Sequence, residues 1–256
     1  MKKIRQSFAW WCFANKGVEN TALLEGAKAL GYDAVDLIGE EFWAQAKDIG
    51  LNIAAVNGHA SIENGLNRPE NSSRIEAELL TNIEKAAKWE IPVLICFSGN
   101  RGYDDEAGLA VCAETVAKVI PAAEKAGVKL AIELLNSRVD HIGYQCDKTV
   151  SAVRLSEQVN SPAFGVLYDV YHAQIMEGDL IRTINEHHKH FVHYHTAGNP
   201  GRGPMDDTQE IWYPPIYRAI AASGYEGYVA HEFFPKADPL RELAEAFQQF
   251  EGSLQG

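Results

Sequence analysis

Residues 122–133 read Ala-Ala-Glu-Lys-Ala-Gly-Val-Lys-Leu-Ala-Ile-Glu, a helix-forming run that stops at Gly127 and passes into a short apolar strand ending in an acid. A glycine suits this passage because many helices close on a left-handed residue. The same order recurs at 27–38 and 220–232, and at 85–97 without the glycine. The repetition predicts a chain built from helix-then-strand units.

Extending this pattern along the chain gives eight candidate strands, each followed by a segment that could form a helix. They lie near residues 4–12, 34–38, 52–57, 92–97, 129–135, 164–169, 190–196 and 227–233. The clearest helix is predicted to begin at Ser73, because Ile75, Leu79, Ile83 and Ala87 recur at four-residue steps behind a capping residue. Eight such units in 256 residues predict an α/β fold, a (β/α)₈ TIM barrel.

No segment rich in Pro, Gly or Ser divides the chain, so we expect residues 1–256 to form a single domain. A doubly wound sheet is the second choice of fold. Its dinucleotide fingerprint is missing, because the glycines of 198–203 have the wrong spacing and precede no obvious helix.

Composition narrows the range of partners. Lys and Arg number 23 against 35 Asp and Glu, a formal charge of −12 that disfavours nucleic acid. No uncharged run approaches the ~20 residues that cross a bilayer, which predicts a cytoplasmic protein without a membrane partner. Cys12, Cys96, Cys112 and Cys146 form no Cys-x-x-Cys pair, so we expect buried or free thiols. The sequence does not decide whether the chain forms a homo-oligomer.

Ionisable residues stand where four consecutive apolar strands end: Glu133, Asp169, His195 and Glu232. In a parallel barrel these ends meet at one mouth, and inward side chains recur at every second residue. Two carboxylates about 4 Å apart repel by roughly 4 kcal/mol at an effective dielectric of ~20. One divalent metal would relieve that repulsion, with Mn²⁺ or Mg²⁺ favoured and Co²⁺ or Zn²⁺ as alternatives. Any single acid could instead cap a helix or pair with an arginine.

Several longer motifs of the second half of the chain look familiar. Residues 167–179 read Leu-Tyr-Asp-Val-Tyr-His-Ala-Gln-Ile-Met-Glu-Gly-Asp, and Asn-Pro-Gly-Arg at 199–202, Glu-Ile-Trp-Tyr-Pro at 210–214 and Gly-Tyr-Glu-Gly at 224–227 follow. This order resembles the hydroxypyruvate isomerase family, which lies within the xylose isomerase-like TIM-barrel sugar isomerases and epimerases. The resemblance is close from Glu133 to Pro235 and weaker before it.

The resemblance implies roles for individual residues. Glu133, Asp169, His195 and Glu232 match the family's metal ligands, and Glu133 and Glu232 also match its acid/base pair. The resemblance also implies substrate contacts at His172 and Arg202. Apart from the resemblance, His59 at the end of the third strand is a further predicted substrate contact. Arg202 could alternatively pair with Asp206 or Asp207. Hydroxypyruvate isomerases tend to carry Gln at the position of His195, whereas a histidine there looks more like the ketose 3-epimerases.

The sequence therefore predicts a metal-dependent isomerase of a small α-hydroxycarbonyl compound, acting through an enediolate and most similar to hydroxypyruvate isomerase. A ketose 3-epimerase and a sugar or inosose dehydratase are the nearest alternatives on the same metal site. A retaining glycosidase would use Glu133 and Glu232 without metal. The charge argues against a DNA-repair endonuclease, and a sugar-binding barrel without activity would not need two acids beside one metal.

Overall fold

The computed structural model describes residues 4–102 and 104–255. Within them, eight parallel strands close into a barrel in chain order, which confirms the predicted (β/α)₈ fold. Every predicted strand position is occupied. The strands are β1 Arg5–Ala9, β2 Ala34–Asp36, β3 Asn52–Asn57, β4 Val93–Cys96, β5 Lys129–Glu133, β6 Phe164–Asp169, β7 Phe191–Thr196 and β8 Tyr228–His231.

A helix follows each strand, as the sequence pattern predicts. The helices are α1 Trp10–Phe13, α2 Asn20–Leu30, α3 Trp43–Ile49, α4 Ser72–Trp89, α5 Asp105–Ala126, α6 Thr149–Val159, α7 Val170–Met176, α8 Leu180–His187, α9 Tyr213–Ala222 and α10 Pro239–Ser253. None of the helices in the described part of the chain is long and apolar enough to cross a membrane.

Helix α4 corrects the sequence-based expectation in two details. It begins at Ser72 rather than Ser73, and its N-cap, Asn71, makes no side-chain capping bond. Ile75, Leu79 and Ile83 are buried as predicted, but the fourth buried residue is Ala86 and not Ala87, which is exposed. A helix has 3.6 residues per turn, so four-residue steps drift around it and reach the solvent face.

Left-handed residues close the helices at three of the four predicted passages into strands; at the fourth, the C-cap of α9 is Ser223 with φ of −68°, and the left-handed Gly224 follows it. Gly31 and Gly127 end α2 and α5 with φ of +109° and +68°. Helix α4 lacks a glycine here, and Glu90 takes the same conformation with φ of +58°. The chain reverses in the same way with and without the glycine, which explains why the unit at 85–97 still forms.

The chain divides into two compact units. One comprises Met1–Ala54, Asp179–His188 and Tyr194–Gly256, and the other comprises Ala55–Gly178 and Lys189–His193. In the first unit, Tyr32 packs edge-on against Phe8 and tilted against Phe247. In the second, α4 packs on α5, where the Ser72 hydroxyl lies 2.7 Å from that of Thr115. The single-domain organisation over 1–256 stays a prediction.

Buried apolar residues from strands, helices and loops form the core, and the four cysteines belong to it. Cys12, Cys96, Cys112 and Cys146 are all buried free thiols, as expected. Burial raises the pKa of the Cys96 thiol to about 12. Cys96 therefore stays protonated and unreactive near neutral pH.

Candidate metal centre and active site

The four predicted ligands stand at the carboxyl ends of consecutive strands. Glu133 and Asp169 are the last residues of β5 and β6, His195 lies near the end of β7, and Glu232 directly follows β8. All four are buried. Each can offer one ligand atom, and these atoms lie within 4.8 Å of one another. Three carboxylates and one imidazole form a donor set that fits a divalent cation of the Mn²⁺ or Mg²⁺ class.

Asp169 uses its two carboxylate oxygens differently. Oδ1 accepts hydrogen bonds from the backbone N–H groups of Tyr171 at 2.8 Å and His172 at 3.1 Å, so Asp169 is the N-cap of α7. Oδ2 lies 3.6 Å from Nε2 of His172. Helix capping therefore engages Oδ1, and Asp169 also offers a carboxylate oxygen within 4.8 Å of the ligand atoms of the other three candidates.

The His172 ring is buried completely, and its tautomer follows from its contacts. Its Nδ1 accepts a hydrogen bond from the backbone N–H of Asn136 at 3.1 Å. A neutral imidazole that accepts at one nitrogen carries its proton on the other. The neutral His172 ring therefore has its proton on Nε2, the nitrogen that faces Asp169.

Glu232 accepts hydrogen bonds from three side chains. The indole Nε1–H of Trp11 donates to Oε1 at 2.9 Å, while Oε2 accepts from the Arg202 guanidinium and lies 2.9 Å from Nδ1 of His195. Burial by itself would raise the pKa of Glu232, but Arg202 and His195 outweigh it and hold that pKa well below its ordinary value. The carboxylate is therefore ionised.

Arg202 is held in place by more than its ion pair with Glu232. Its guanidinium carbon lies 5.3 Å from the centre of the Trp11 ring, a cation–π contact. Its backbone has φ of +52°, and its carbonyl accepts from the N–H of Phe234 at 2.7 Å. Asp206, one of the alternative partners, pairs with Lys236 at 3.7 Å. Arg202 thus lies beside the acid/base candidate.

His59 has both ring nitrogens against the main chain. Nδ1 lies 3.1 Å from the carbonyl oxygen of Ala60, and Nε2 accepts from the N–H of Phe97 at 3.0 Å. Burial lowers the pKa of His59, so the ring is neutral near pH 7. These contacts fix the ends of β3 and β4. A substrate contact through His59 stays a prediction.

Sequence reasoning missed two residues beside this site. Asp36 is buried, and its Oδ2 lies 3.5 Å from Nε2 of His195. It ends β2 just as Glu133 ends β5, so its position at a strand end was an available signal. Trp11 follows β1 by two residues, and no pattern in the sequence marks it as the donor to Glu232.

Comparison with known proteins agrees with this architecture. A family model described as the xylose isomerase-like TIM barrel matches residues 17–250. Hydroxypyruvate isomerase of Escherichia coli (strain K12) is 31% identical over 135 residues, 53% of this chain and 52% of that protein. A putative hydroxypyruvate isomerase of Streptomyces coelicolor is 27% identical over 90% of this chain and 81% of its own.

Among solved structures, AP endonuclease family 2 from Brucella melitensis is similar with a TM-score of 0.82 and 25% identity, covering 94% of this chain and 98% of the other. The first curated relatives are matched over only 41% to 52% of their own length, about half.

Proposed function

Because the chain belongs to the xylose isomerase-like TIM barrel family, we propose that it is a divalent-metal-dependent isomerase of a small α-hydroxycarbonyl compound, with hydroxypyruvate favoured. The observation that carries the proposal is the buried set of Glu133, Asp169, His195 and Glu232, whose ligand atoms lie within 4.8 Å of one another. The similarity to hydroxypyruvate isomerases supports the reaction class.

In this proposal the four residues hold one cation, with Mn²⁺ or Mg²⁺ favoured and Co²⁺ or Zn²⁺ as alternatives. A bound divalent cation supplies a Lewis acid that stabilises the negative charge of an enediolate. The carboxylates are buried, so little water is present to screen their electrostatic attraction to the cation.

Glu133 and Glu232 form the proposed acid/base pair. One carboxylate removes the proton from the carbon that bears the hydroxyl, and the other returns a proton. Return to the neighbouring carbon interconverts aldose and ketose, whereas return to the opposite face of the same carbon gives epimerisation. Glu232 is ionised, which is the form of a carboxyl group that can accept a proton.

His172, Arg202 and His59 are the proposed substrate contacts. The Nε2–H of His172 would donate to a substrate oxygen, since its Nδ1 already accepts from Asn136. A guanidinium can bind a carboxylate through two parallel hydrogen bonds, which suits hydroxypyruvate. His59 would contribute ring packing, because its nitrogens engage the main chain.

A ketose 3-epimerase, or a sugar or inosose dehydratase, is the second candidate. The imidazole of His195 in the donor set favours it, because histidine at this position is more similar to the epimerase branch. The same acid/base pair could return the proton to the opposite face of the same carbon, which gives epimerisation, or remove it while a protonated β-hydroxyl group leaves as water.

Proton NMR in D₂O tests the proposal and separates the candidates. Hydroxypyruvate, ketopentoses, ketohexoses and inosose are each incubated with the protein before and after chelation. We expect deuterium exchange at one carbon that chelation abolishes and Mn²⁺ restores. Glu245→Gln on α10, an exposed position that pairs with Arg241, is the matched control and should retain full exchange. Exchange that survives chelation, or no exchange with any of these compounds, would refute the proposal.

A further inference from the structure

We propose that Asn136 is a positioning residue that holds His172 in the tautomer with its proton on Nε2; the inference rests on the proposed function, in which that proton is donated to the substrate. Asn136 lies three residues beyond Glu133 and is buried completely. Its side chain joins the segment that follows β5 to the ring of His172.

The orientation of the Asn136 amide is fixed by its neighbours. Its Oδ1 accepts from the backbone N–H groups of Val139 at 2.9 Å and Asp140 at 3.0 Å. Its Nδ2 therefore faces two further atoms, Oδ2 of Asp140 and Nδ1 of His172, each at 2.6 Å. With the oxygen committed to two donors, the amide nitrogen has one hydrogen for each of these acceptors.

Two donors from one residue thus meet at Nδ1 of His172, because the backbone N–H of Asn136 also points to it. A protonated Nδ1 would face both of them, so the neutral ring places its proton on Nε2. Nε2 in turn lies 3.6 Å from Oδ2 of Asp169, one of the proposed ligands. Asn136 acts on the site through His172.

Asp140 disfavours the flipped orientation of the Asn136 side-chain amide, in which oxygen and nitrogen exchange places. Its Oδ2 accepts from Nδ2 of Asn136 and also from the hydroxyl of Tyr171 at 2.9 Å. In the flipped orientation the Asn136 amide oxygen would face the Asp140 carboxylate, and two acceptors would repel each other. The hydrogen bonds that place the His172 proton on Nε2 therefore also connect the segment after β5 to helix α7.

The direct test is NMR of the ¹⁵N-histidine-labelled 256-residue chain, chelated and then loaded with Mg²⁺. Multiple-bond ¹H–¹⁵N correlations show which ring nitrogen carries the proton, and His172→Gln identifies the signal by its loss. We expect the His172 proton on Nε2 in both states. A proton on Nδ1 in the unaltered protein would overturn the inference without requiring any variant.

The variant Asn136→Asp/Asp140→Asn exchanges amide and carboxylate, so net charge and the bond between the two positions are kept. The group facing Nδ1 becomes an acceptor, and we expect a signal from protonated Nδ1 to appear. Tyr171→Phe is the matched control, because it removes a bond to Asp140 but leaves both donors to Nδ1; its His172 signal should stay unchanged. An unchanged tautomer in the exchanged variant contradicts the role of the Asn136 side chain.

Kinetics separates positioning from simple structural support. The exchanged variant and His172→Gln should each lower kcat/KM by about tenfold or more, and their combination by less than about twofold beyond His172→Gln. Additive losses would mean that Asn136 does not act through His172. Because the NMR measurement needs no substrate, absence of turnover on every substrate refutes the proposed function alone, while the wrong tautomer in an active enzyme refutes this inference alone.

Discussion

Glu133 and Glu232 are the two side chains on which the proposed proton transfer depends. Glu133→Gln and Glu232→Gln should each lower kcat by about 10²- to 10⁴-fold, because a carboxamide neither accepts nor returns the proton. Steady-state kinetics gives the effect, and circular dichroism verifies that each variant is folded. Near-normal turnover in either variant would mean that another group moves the proton.

Arg202 offers a separate prediction, because it contacts Glu232 and could also hold a substrate carboxylate. Arg202→Lys should raise KM for hydroxypyruvate about tenfold or more, since an ammonium cannot reproduce the planar fork. Any effect through Glu232 should appear in kcat for charged and neutral substrates alike. Measuring KM and kcat on hydroxypyruvate and on a neutral ketose separates these effects. Equally small changes on the two substrates would mean that Arg202 does not bind the substrate.

At the scale of a single element, α4 supports a sharp comparison of adjacent residues. Ala86 is 1% exposed on the buried face, whereas Ala87 is exposed. Ala86→Glu should destabilise the fold by about 3 kcal/mol or more because it buries an unpaired charge. Ala87→Glu should change stability by less than about 0.5 kcal/mol. Urea unfolding measures both, and similar losses would contradict the assigned helix face.

The elements themselves could be predicted because their signals are local. Apolar runs such as 164–169 and helix ends such as Gly127 define strands and boundaries without reference to the rest of the chain. The four ligand candidates were also visible, since each stands at the end of a strand or next to it. The hydrogen bonds of Trp11 and Asn136 were not, because they depend on how loops place partners that are distant along the chain.

For the molecule as a whole, buried His231 predicts a loss of stability in acid. Its Nε2 lies 3.0 Å from Oε1 of Gln6, and its Nδ1 lies 3.0 Å from the hydroxyl oxygen of Thr196. Burial lowers the pKa of His231 to about 3. Between pH ~6.5 and ~3 the unfolded chain therefore binds a proton that the folded chain does not. Stability falls as pH falls, by up to about 1.4 kcal/mol per pH unit.

Urea unfolding of chelated protein at about pH 7 and about pH 5 measures this dependence. His231→Gln should flatten it, because the group that takes up the proton on unfolding is gone. A variant that keeps the full pH slope would show that other groups are responsible.

The proposed function requires that Glu133, Asp169, His195 and Glu232 together bind one divalent cation. Titrating Mn²⁺ into chelated protein, with free Mn²⁺ followed by electron paramagnetic resonance, tests it most directly. We expect one Mn²⁺ per chain, and binding at least about tenfold weaker in Asp169→Asn, which keeps an oxygen acceptor for capping α7 but loses the ligand charge. No bound Mn²⁺, or equal affinity in Asp169→Asn, would contradict it.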